Sequence, residues 1–338
     1  GIRRDSISSL SARSSRNLRR IRTIPTHVLL FLVVTALTPV WLVVGLLVDV
    51  VRWITGRHHG MAVRMFAFGW WYLLIGTVCL TRILGHWLVA GFGRNKASMR
   101  EGSYRLQEWW ARMLFAAVVR IFRLTVSVEG LDQIAPGPII VMMRHASIVD
   151  TLLPNVFVTG KARIRLRYVL KKELLADPTL DIAGNRLINH FVDRQGDSIA
   201  EVKAVVALLD DVTDREGVLI YPEGTRFTEE RRDKVLAGLG DRDTGLAERA
   251  RRLRRVLPPR PGGSAALLES AFDVVIAAHT GLEPLATIPD AWSGRIVGSH
   301  LRIRFQRFDG SAIPQTRRGR VDWLFDRWEE VDAWIVGT

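Results

Sequence analysis

Cysteine is almost absent from the chain, since Cys79 is the only one among 338 residues. An internal disulfide is therefore excluded, and Cys79 lies in an apolar run, as expected for a small packed hydrophobic residue. Acidic residues are scarce beside basic ones, at 34 Asp and Glu against 48 Lys and Arg, so the formal net charge is +14. That charge favours an anionic partner, such as a nucleic acid, an anionic lipid or a phosphorylated substrate.

Several chemical signatures are also missing from the sequence. No nucleic-acid-binding motif is present, which argues against a nucleic-acid partner. The pair His58-His59 has no further ligands at the spacing of a metal site, so no metal is expected. There is no G-x-S-x-G turn, so a serine nucleophile of the hydrolase type is not expected either.

Long apolar runs, by contrast, fill the N-terminal third. Residues 1–26 form a basic, Ser-rich arm that we expect to be solvated or to touch lipid headgroups. Residues 27–48 carry no charged side chain and, at roughly 20 residues, can span a bilayer, with a kink expected at Pro39. Residues 65–81 are also uncharged and predict a second spanning helix, or half of a hairpin lying partly in the membrane. Two membrane helices are therefore predicted within 27–93, and a secretory signal peptide is the rival interpretation of the first run.

Basic residues flank both apolar runs. They lie in the arm that precedes the first run and in the stretch that follows the second, which contains Arg94, Lys96, Arg100 and Arg105. Under the positive-inside rule, two crossings place both flanks on the cytoplasmic side. The expected location is thus a membrane, with a multi-pass topology and the rest of the chain on the cytoplasmic face.

An amphipathic helix is predicted over residues 104–123. Apolar side chains, including Trp109 and Trp110, recur there at helical spacing, and Arg112 and Arg120 interleave with them. This pattern is typical of a helix that lies in a membrane interface. A helix whose apolar face covers the following domain fits the same pattern.

Residues 124–338 alternate between strand and helix patterns. Strands are predicted over 124–129, 138–143, 164–170, 187–192, 217–221, 273–278 and 301–308. Helices are predicted to begin at 171 and to cover 198–209, the Arg-rich 246–257 and the closing 321–335. This alternation indicates an α/β domain with a mostly parallel sheet flanked by helices.

One of these strand ends carries a histidine and a carboxylate. The apolar run 138–143 is followed by His145 and, after four residues, by Asp150. Histidine is the side chain best suited to accept a proton near neutral pH, and a carboxylate on its other ring nitrogen would fix its tautomer. The alternative is an ordinary capped helix start, in which Asp150 caps a helix over 150–157 and His145 is a loop residue.

Two more polar blocks follow predicted strands. Tyr221-Pro222-Glu223-Gly224-Thr225-Arg226 comes directly after an apolar strand, and Phe191-Val192-Asp193-Arg194 ends another. Ligand sites in α/β folds form beyond the carboxyl ends of parallel strands. Gly224 allows a close backbone approach, and an arginine presents a planar fork suited to phosphate. The alternatives are an ordinary turn with an internal Glu223–Arg226 pair, and a surface ion pair at Arg194.

Taken together, the blocks resemble the lysophosphatidic acid acyltransferase (1-acylglycerol-3-phosphate O-acyltransferase) family of glycerolipid acyltransferases. The resemblance rests on R-H-A-S-I-V-D (144–150), I-N-H-F-V-D-R (188–194) and Y-P-E-G-T-R-F-T (221–228), in that order. The chain departs from the family at Ile188, where glycine is usual, and in residues 274–277, the best match to the proline-containing fourth block. The stretch 229–261 is longer than in compact bacterial members and resembles a long-insert, membrane-anchored branch.

The resemblance implies a fold, a reaction and a set of site residues. The fold is a glycerolipid acyltransferase-like domain preceded by a membrane-embedded helical hairpin. The reaction is transfer of a fatty acyl group from acyl-CoA, a co-substrate, to the free hydroxyl of 1-acyl-glycerol-3-phosphate, which gives phosphatidic acid without a cofactor. Another lysophospholipid or a glycolipid is the alternative acceptor, and a non-catalytic lipid-binding membrane protein is the alternative of another class. The implied residues are His145 and Asp150 for catalysis, Arg194, Glu223, Gly224, Thr225 and Arg226 for substrate binding, and Lys171 and Lys172 for contacts with the donor or an anionic lipid.

Overall fold

The computed structural model describes residues 2–57, 59–192, 198–238 and 244–337. The chain forms two compact units. The helical unit consists of Gly1–Leu114 with Lys171–Ile188, and the sheet unit consists of Phe115–Leu170 with Asn189–Thr338.

Long helices dominate the helical unit. They are α1 (Ile2–Ala36), α2 (Thr38–Ile54), α3 (Met61–Val89) and α4 (Lys96–Phe122), which continues into the sheet unit, followed after β3 by the short α5 (Pro178–Gly184). Among the described residues, α3 is long and apolar enough to cross a membrane, and the α1–α2 pair adds a second such segment if its two arms count as one. Helix α4 begins eight residues before the predicted 104.

A sharp bend separates α1 from α2. The two helices meet at Leu37 at an angle of 68°. Pro39 lies in the first turn of α2, where its missing N–H does no harm. Continued as one helix, the chain would bring the proline ring against the carbonyl of Thr35, four residues earlier. The kink expected within 27–48 is therefore a break between two helices.

The basic arm is helical and partly engaged with α5. Arg19 Nη2 lies 2.7 Å from Asp181 Oδ1, and Arg20 Nε lies 3.1 Å from Asp181 Oδ2, while the Asp181 side chain is fully buried. Asp177 accepts hydrogen bonds from the amides of α5's first turn and from the hydroxyl of Tyr72 on α3. Arg19 and Arg20 of the arm therefore serve as the cationic partners that a buried carboxylate needs.

The sheet unit is built on a mostly parallel mixed sheet. Its strands are β1 (Thr125–Glu129), β2 (Ile139–Met143), β3 (Arg165–Lys171), β4 (His190–Val192), β5 (Glu216–Ile220), β6 (Asp273–Thr280) and β7 (His300–Phe308). Their order in the sheet is β1-β7-β6-β2-β5-β3-β4. The pairs β1–β7, β2–β5, β2–β6 and β3–β5 are parallel, and β6–β7 is antiparallel. The predicted α/β fold with a mostly parallel sheet is confirmed.

Strand β2 occupies the middle of the sheet, and all five of its residues are buried. Val141 lies in register with Leu219 of β5 on one side and with Val275 of β6 on the other. Because both pairings are parallel, the chain leaves β2, β5 and β6 at the same edge. The residues that follow these three strands therefore converge.

Helices cover the sheet. They are α6 (Ser198–Val206), α7 (Glu229–Gly238), α8 (Thr244–Arg252), α9 (Pro261–Leu267), α10 (Ile288–Trp292) and α11 (Arg317–Val336). A cluster of buried side chains from α8, α9 and α11 attaches the insert to the domain: Ala250, Ala265, Val321 and Phe325. The helix predicted over 246–257 ends at Arg252, and the strand predicted over 187–192 begins only at His190.

The segment after Asp150 is not a regular α-helix. A 3-10 turn covers Val149–Leu152, and a π-helical turn covers Pro154–Thr159. Pro154 lacks the N–H that an α-helix starting near 150 would need at this point. The interpretation of Asp150 as a simple helix cap is therefore not supported by the local backbone.

Candidate active site

His145 and Asp150 form a hydrogen-bonded pair in the loop after β2. His145 Nδ1 lies 2.9 Å from Asp150 Oδ1. Burial alone would raise the pKa of the Asp150 carboxyl, but His145 and then His279 hold it well below its usual range. The carboxylate can then only accept, so His145 Nδ1 must carry the proton and Nε2 is left as the basic nitrogen. The sequence expectation of an imidazole with its orienting carboxylate agrees with this geometry.

The loop itself fixes Asp150. Its Oδ2 accepts hydrogen bonds from the amides of Ala146 and Ser147, at 2.6 and 2.7 Å. The Ser147 hydroxyl oxygen accepts in turn from the amides of Val149 and Asp150. Ser147 is fully buried, so its hydroxyl supports the turn and is not presented to a substrate. The four residues between His145 and Asp150 thus give the loop the length that it needs to direct these backbone amides at one carboxylate.

Glu223 lies beneath His145 and not on an open surface. Its Oε1 accepts from the amide of His145 at 2.8 Å, and its Oε2 accepts from the amide of Leu257 at 2.8 Å. The residue is 1% exposed, and burial raises the pKa of its carboxyl to about 8 although the nearby Arg144 pulls it down. Because both oxygens hold backbone amides, Glu223 positions His145 and ties the insert to it, and its expected role as a substrate ligand stays a prediction.

A buried group that sequence reasoning missed lies behind the pair. Arg144 is fully buried and donates to the carbonyl oxygens of His279 and Arg255, at 2.6 and 2.8 Å, and to Glu283. His279, at the end of β6, lies with Nε2 3.1 Å from the Arg144 carbonyl oxygen and 3.5 Å from Asp150 Oδ2. The sequence does place His279 near the end of an apolar strand, which is a typical position for a site residue. Only the pairing of β2 with β6 brings it close to Asp150.

The turn after β5 brings a further cation beside the site. Gly224 has φ +67°, in the region that favours glycine, and its amide donates to the Tyr221 carbonyl oxygen. A Cβ at Gly224 would lie 3.0 Å from Arg260 Cδ, so the exposed Arg260 side chain rests on the turn. The Tyr221 ring lies 4.6 Å from the His145 ring and limits its rotation. Arg260 was not singled out from the sequence, because it lies 34 residues beyond the motif.

Arg226 is half-buried at the end of the same turn. Its Nη1 donates to the carbonyl oxygen of Ala286 at 2.8 Å, and burial, followed by the nearby Arg231, lowers the pKa of its guanidinium. Thr225 is also half-buried. A guanidinium that is partly desolvated, close to a second cation and held on a carbonyl gains by binding an anion.

The other expected site residues lie elsewhere. Arg194 falls outside the described residues. Lys171 and Lys172 lie at the end of β3, within the helical unit, and their contact with a donor stays a prediction. Among the described residues, no three His, Cys, Asp or Glu side chains are grouped to hold a metal ion.

A model of the family described as Acyltransferase matches residues 125–278, which contain His145, Asp150 and the Glu223–Arg226 turn. This match identifies residues 125–278 as an acyltransferase domain. Its fold is similar to that of PlsC, the 1-acyl-sn-glycerophosphate acyltransferase from Thermotoga maritima, with a TM-score of 0.53 and 18% sequence identity. That match covers 81% of this chain and 98% of the Thermotoga chain. Comparison with curated protein sequences gives no significant match.

These comparisons confirm two expectations from the motifs. Residues 125–278 are an acyltransferase domain, as the motifs predicted, and the fold is PlsC-like, as the family resemblance implied. The family match ends at residue 278, one residue before His279. The buried histidine behind Asp150 therefore lies just outside the matched region.

Proposed function

We propose that this acyltransferase transfers a fatty acyl group from acyl-CoA to the free hydroxyl of 1-acyl-glycerol-3-phosphate and gives phosphatidic acid. The observation that supports the proposal most directly is the 2.9 Å contact between His145 Nδ1 and Asp150. It leaves Nε2 unprotonated at a side chain that is 9% exposed, enough to meet a substrate from one side. The match to the Acyltransferase model supports acyl transfer as the reaction that this base assists.

In the proposed mechanism, His145 acts as a general base and then as a general acid. Nε2 takes the proton of the acceptor hydroxyl while its oxygen attacks the thioester carbonyl carbon. The tetrahedral intermediate collapses, the C–S bond breaks, and the imidazolium returns the proton to the CoA thiolate. Asp150 stabilises the imidazolium throughout and keeps its own charge. General-base assistance of this kind is worth about 10²–10⁴-fold in rate.

We assign the acceptor phosphate to the turn after β5. Arg226 keeps guanidinium N–H groups beyond the one that it donates to Ala286, and Arg260 lies over Gly224 with its charged end exposed. Two guanidinium groups at one turn suit the two charges of a phosphate monoester. Thr225 adds a hydroxyl donor, and Arg194 is assigned to the same phosphate from its motif.

The acyl chains of donor and acceptor call for a membrane. The apolar helices α1–α3 support attachment to a bilayer, with exposed side chains such as Leu29, Trp41 and Val51 facing outward. The multi-pass topology, the cytoplasmic location of the catalytic domain and the acyl-CoA contacts of Lys171 and Lys172 remain part of this proposal.

Release of CoA measures the proposed reaction directly. Purified full-length protein in mixed micelles, supplied with palmitoyl-CoA and 1-oleoyl-glycerol-3-phosphate, should release free thiol in equal amounts to phosphatidic acid. His145→Ala should lower kcat by about 10²–10⁴-fold. His300→Ala is the matched control, because His300 is exposed at the start of β7 in the same unit and its Nε2 hydrogen-bonds to the hydroxyl of Ser127. It should keep the wild-type rate.

The acceptor panel separates the proposal from its alternatives. Lysophosphatidylglycerol, lysophosphatidylinositol and a glycolipid would be compared with 1-oleoyl-glycerol-3-phosphate at equal concentration. A higher kcat/KM for one of these lipids would identify it as the acceptor, and the proposed acyl transfer would stand. Acceptor-dependent thiol release that is absent for every lipid, or that survives unchanged in a folded His145→Ala variant, would refute the enzyme assignment.

A further inference from the structure

A basic cavity lies entirely within the helical unit. Its volume is about 290 Å³, and Arg82 and His86 of α3, Arg105 of α4 and Arg186 of the segment after α5 line it. Among the described residues that line it, none is acidic. The catalytic base, its carboxylate and the turn after β5 belong to the sheet unit, so the proposed chemistry does not account for this concentration of positive charge.

The cations of the cavity are poorly neutralised. Arg186 is half-buried, and burial, followed by the charge of Arg20, lowers the pKa of its guanidinium. Arg20 itself is occupied by Asp181. Arg105 has Glu101 at 4.0 Å, an exposed pair at the outer limit of an ion pair. Arg82 and Arg105 are exposed at the cavity, and Arg186 is half-buried. Like charges gathered around one concave space favour an anionic ligand, because its binding removes their mutual repulsion.

The walls are shaped by a close approach between α3 and α4. A Cβ at Gly102 would lie 2.3 Å from His86 Nε2, so only glycine lets the His86 ring lie against α4. The same Nε2 bonds to the carbonyl oxygen of Ser98 at 2.9 Å, which fixes the ring. The cavity is thus bounded by an ordered contact between two helices and is not a gap between mobile side chains.

The position along α3 indicates where the ligand comes from. Residues 65–81 of this helix are uncharged, and Arg82 is the first charged residue after them. Its guanidinium lies 4.6 Å from the ring of Trp109, and Trp87 is exposed one turn further. Arginine and tryptophan at the end of an apolar helix mark the headgroup level of a bilayer. A volume of about 290 Å³ lies at the lower end of ligand pockets and suits a headgroup and not a whole lipid.

We propose that this cavity binds the phosphate group of an anionic phospholipid headgroup through Arg82, Arg105 and Arg186. Such a site would anchor the helical unit to the anionic lipids of its membrane. The cavity belongs to the helical unit and the assigned acceptor site to the sheet unit, and the proposal does not depend on which lysophospholipid the enzyme acylates.

Binding of dioctanoyl phosphatidylglycerol to the full-length protein in maltoside micelles tests the proposal. Titration should show saturable binding, and Arg186→Gln or Arg105→Gln should raise the Kd by about tenfold each, since each removes one charged hydrogen-bonding partner. Arg186→Lys, which keeps the charge, should recover most of the affinity. Dioctanoyl phosphatidylcholine, whose choline cation offsets the charge of its phosphate, should bind at least tenfold more weakly than phosphatidylglycerol.

Three controls make the outcome decisive. Arg100→Gln removes the same charge from an exposed position on α4, outside the cavity, and should leave the Kd unchanged. Arg226→Gln should leave it unchanged as well, which excludes binding at the catalytic turn. Inorganic phosphate, titrated at constant ionic strength, distinguishes the source: competition that requires Arg186 supports a phosphate site open to soluble phosphates. Equal Kd values for wild type, Arg105→Gln and Arg186→Gln would overturn the proposal, whatever the activity of the enzyme.

Discussion

Replacing Asp150 by asparagine should disable catalysis by reversing the tautomer of His145. Asp150 accepts three hydrogen bonds, one from His145 Nδ1 and two from the amides of Ala146 and Ser147. The amide oxygen of asparagine can keep the two backbone bonds, but its NH₂ group then faces Nδ1. Nδ1 must accept that bond, so the proton moves to Nε2, and the nitrogen that faces the substrate can no longer take one.

The expected size follows from the loss of the general base. Asp150→Asn should lower kcat by about 10²–10⁴-fold. The acceptor KM should change less than about threefold, because Asp150 is fully buried and reaches the substrate only through His145. The free energy of unfolding should fall by about 1–3 kcal/mol, because a charged acceptor with three partners is replaced by a neutral one.

Thiol release measured against acceptor concentration gives kcat and KM separately, and urea unfolding of the sheet unit gives the stability change. Asp132→Asn serves as the matched control, since Asp132 is exposed in the same unit, and it should behave like the wild type. A folded Asp150→Asn enzyme with a kcat within threefold of wild type would mean that the tautomer of His145 is not set by Asp150. The mechanism would then be wrong.

Three other substitutions test the surroundings of this pair. The folded-state pKa of Glu223 is about 8 against an ordinary 4.5, so the folded protein retains a proton that the unfolded chain loses, and this group costs stability as pH rises between those values. In a series of urea midpoints measured against pH, Glu223→Gln should lack the decrease in stability that this carboxyl causes between those two pKa values. At low pH the same substitution should cost about 1–3 kcal/mol of stability, because one hydrogen bond to a backbone amide is lost. Arg226→Ala should raise the acceptor KM by about 10–100-fold and leave the donor KM within twofold, and equal effects on both would contradict its assignment to the phosphate. Gly224→Ala should cost about 1–2 kcal/mol in thermal unfolding, because of its positive φ, and should raise the acceptor KM by displacing Arg260. An unchanged melting temperature and KM would show that the turn adapts.

The sequence was sufficient for the parts of the site that are local in the chain. His145 and Asp150 lie five residues apart, so a single loop decides their contact, and an apolar strand before them fixes where that loop begins. The alternation of strands and helices predicted the parallel sheet for the same reason, since each pattern depends on neighbouring residues. The position of Glu223–Arg226 at the same edge of the sheet was predictable, because these residues directly follow a second apolar strand.

The rest depends on pairing between distant segments. His279 lies 129 residues after Asp150, and only the β2–β6 register brings it within 3.5 Å. The sequence pattern of Glu223 is that of a ligand-binding acid, yet Leu257, from the insert, occupies one of its oxygens. An apolar run shows that a segment avoids water but not its direction, so the 68° bend near Pro39 was expected only as a kink.

The contacts of α5 constrain how the apolar helices can meet a bilayer. Asp177 and Asp181 lie one helical turn apart, and they hold Tyr72, near the middle of α3, and Arg19 and Arg20 of α1. These partners therefore share one depth, so a hydrocarbon slab of about 30 Å centred on Tyr72 would immerse two carboxylates and two guanidinium groups. It also follows that the chain between Arg20 and Asp181 makes an even number of passes, because ion-paired groups stand on the same side. Two crossings meet this condition, and so does a hairpin that enters one leaflet and returns, which would also keep these charges hydrated.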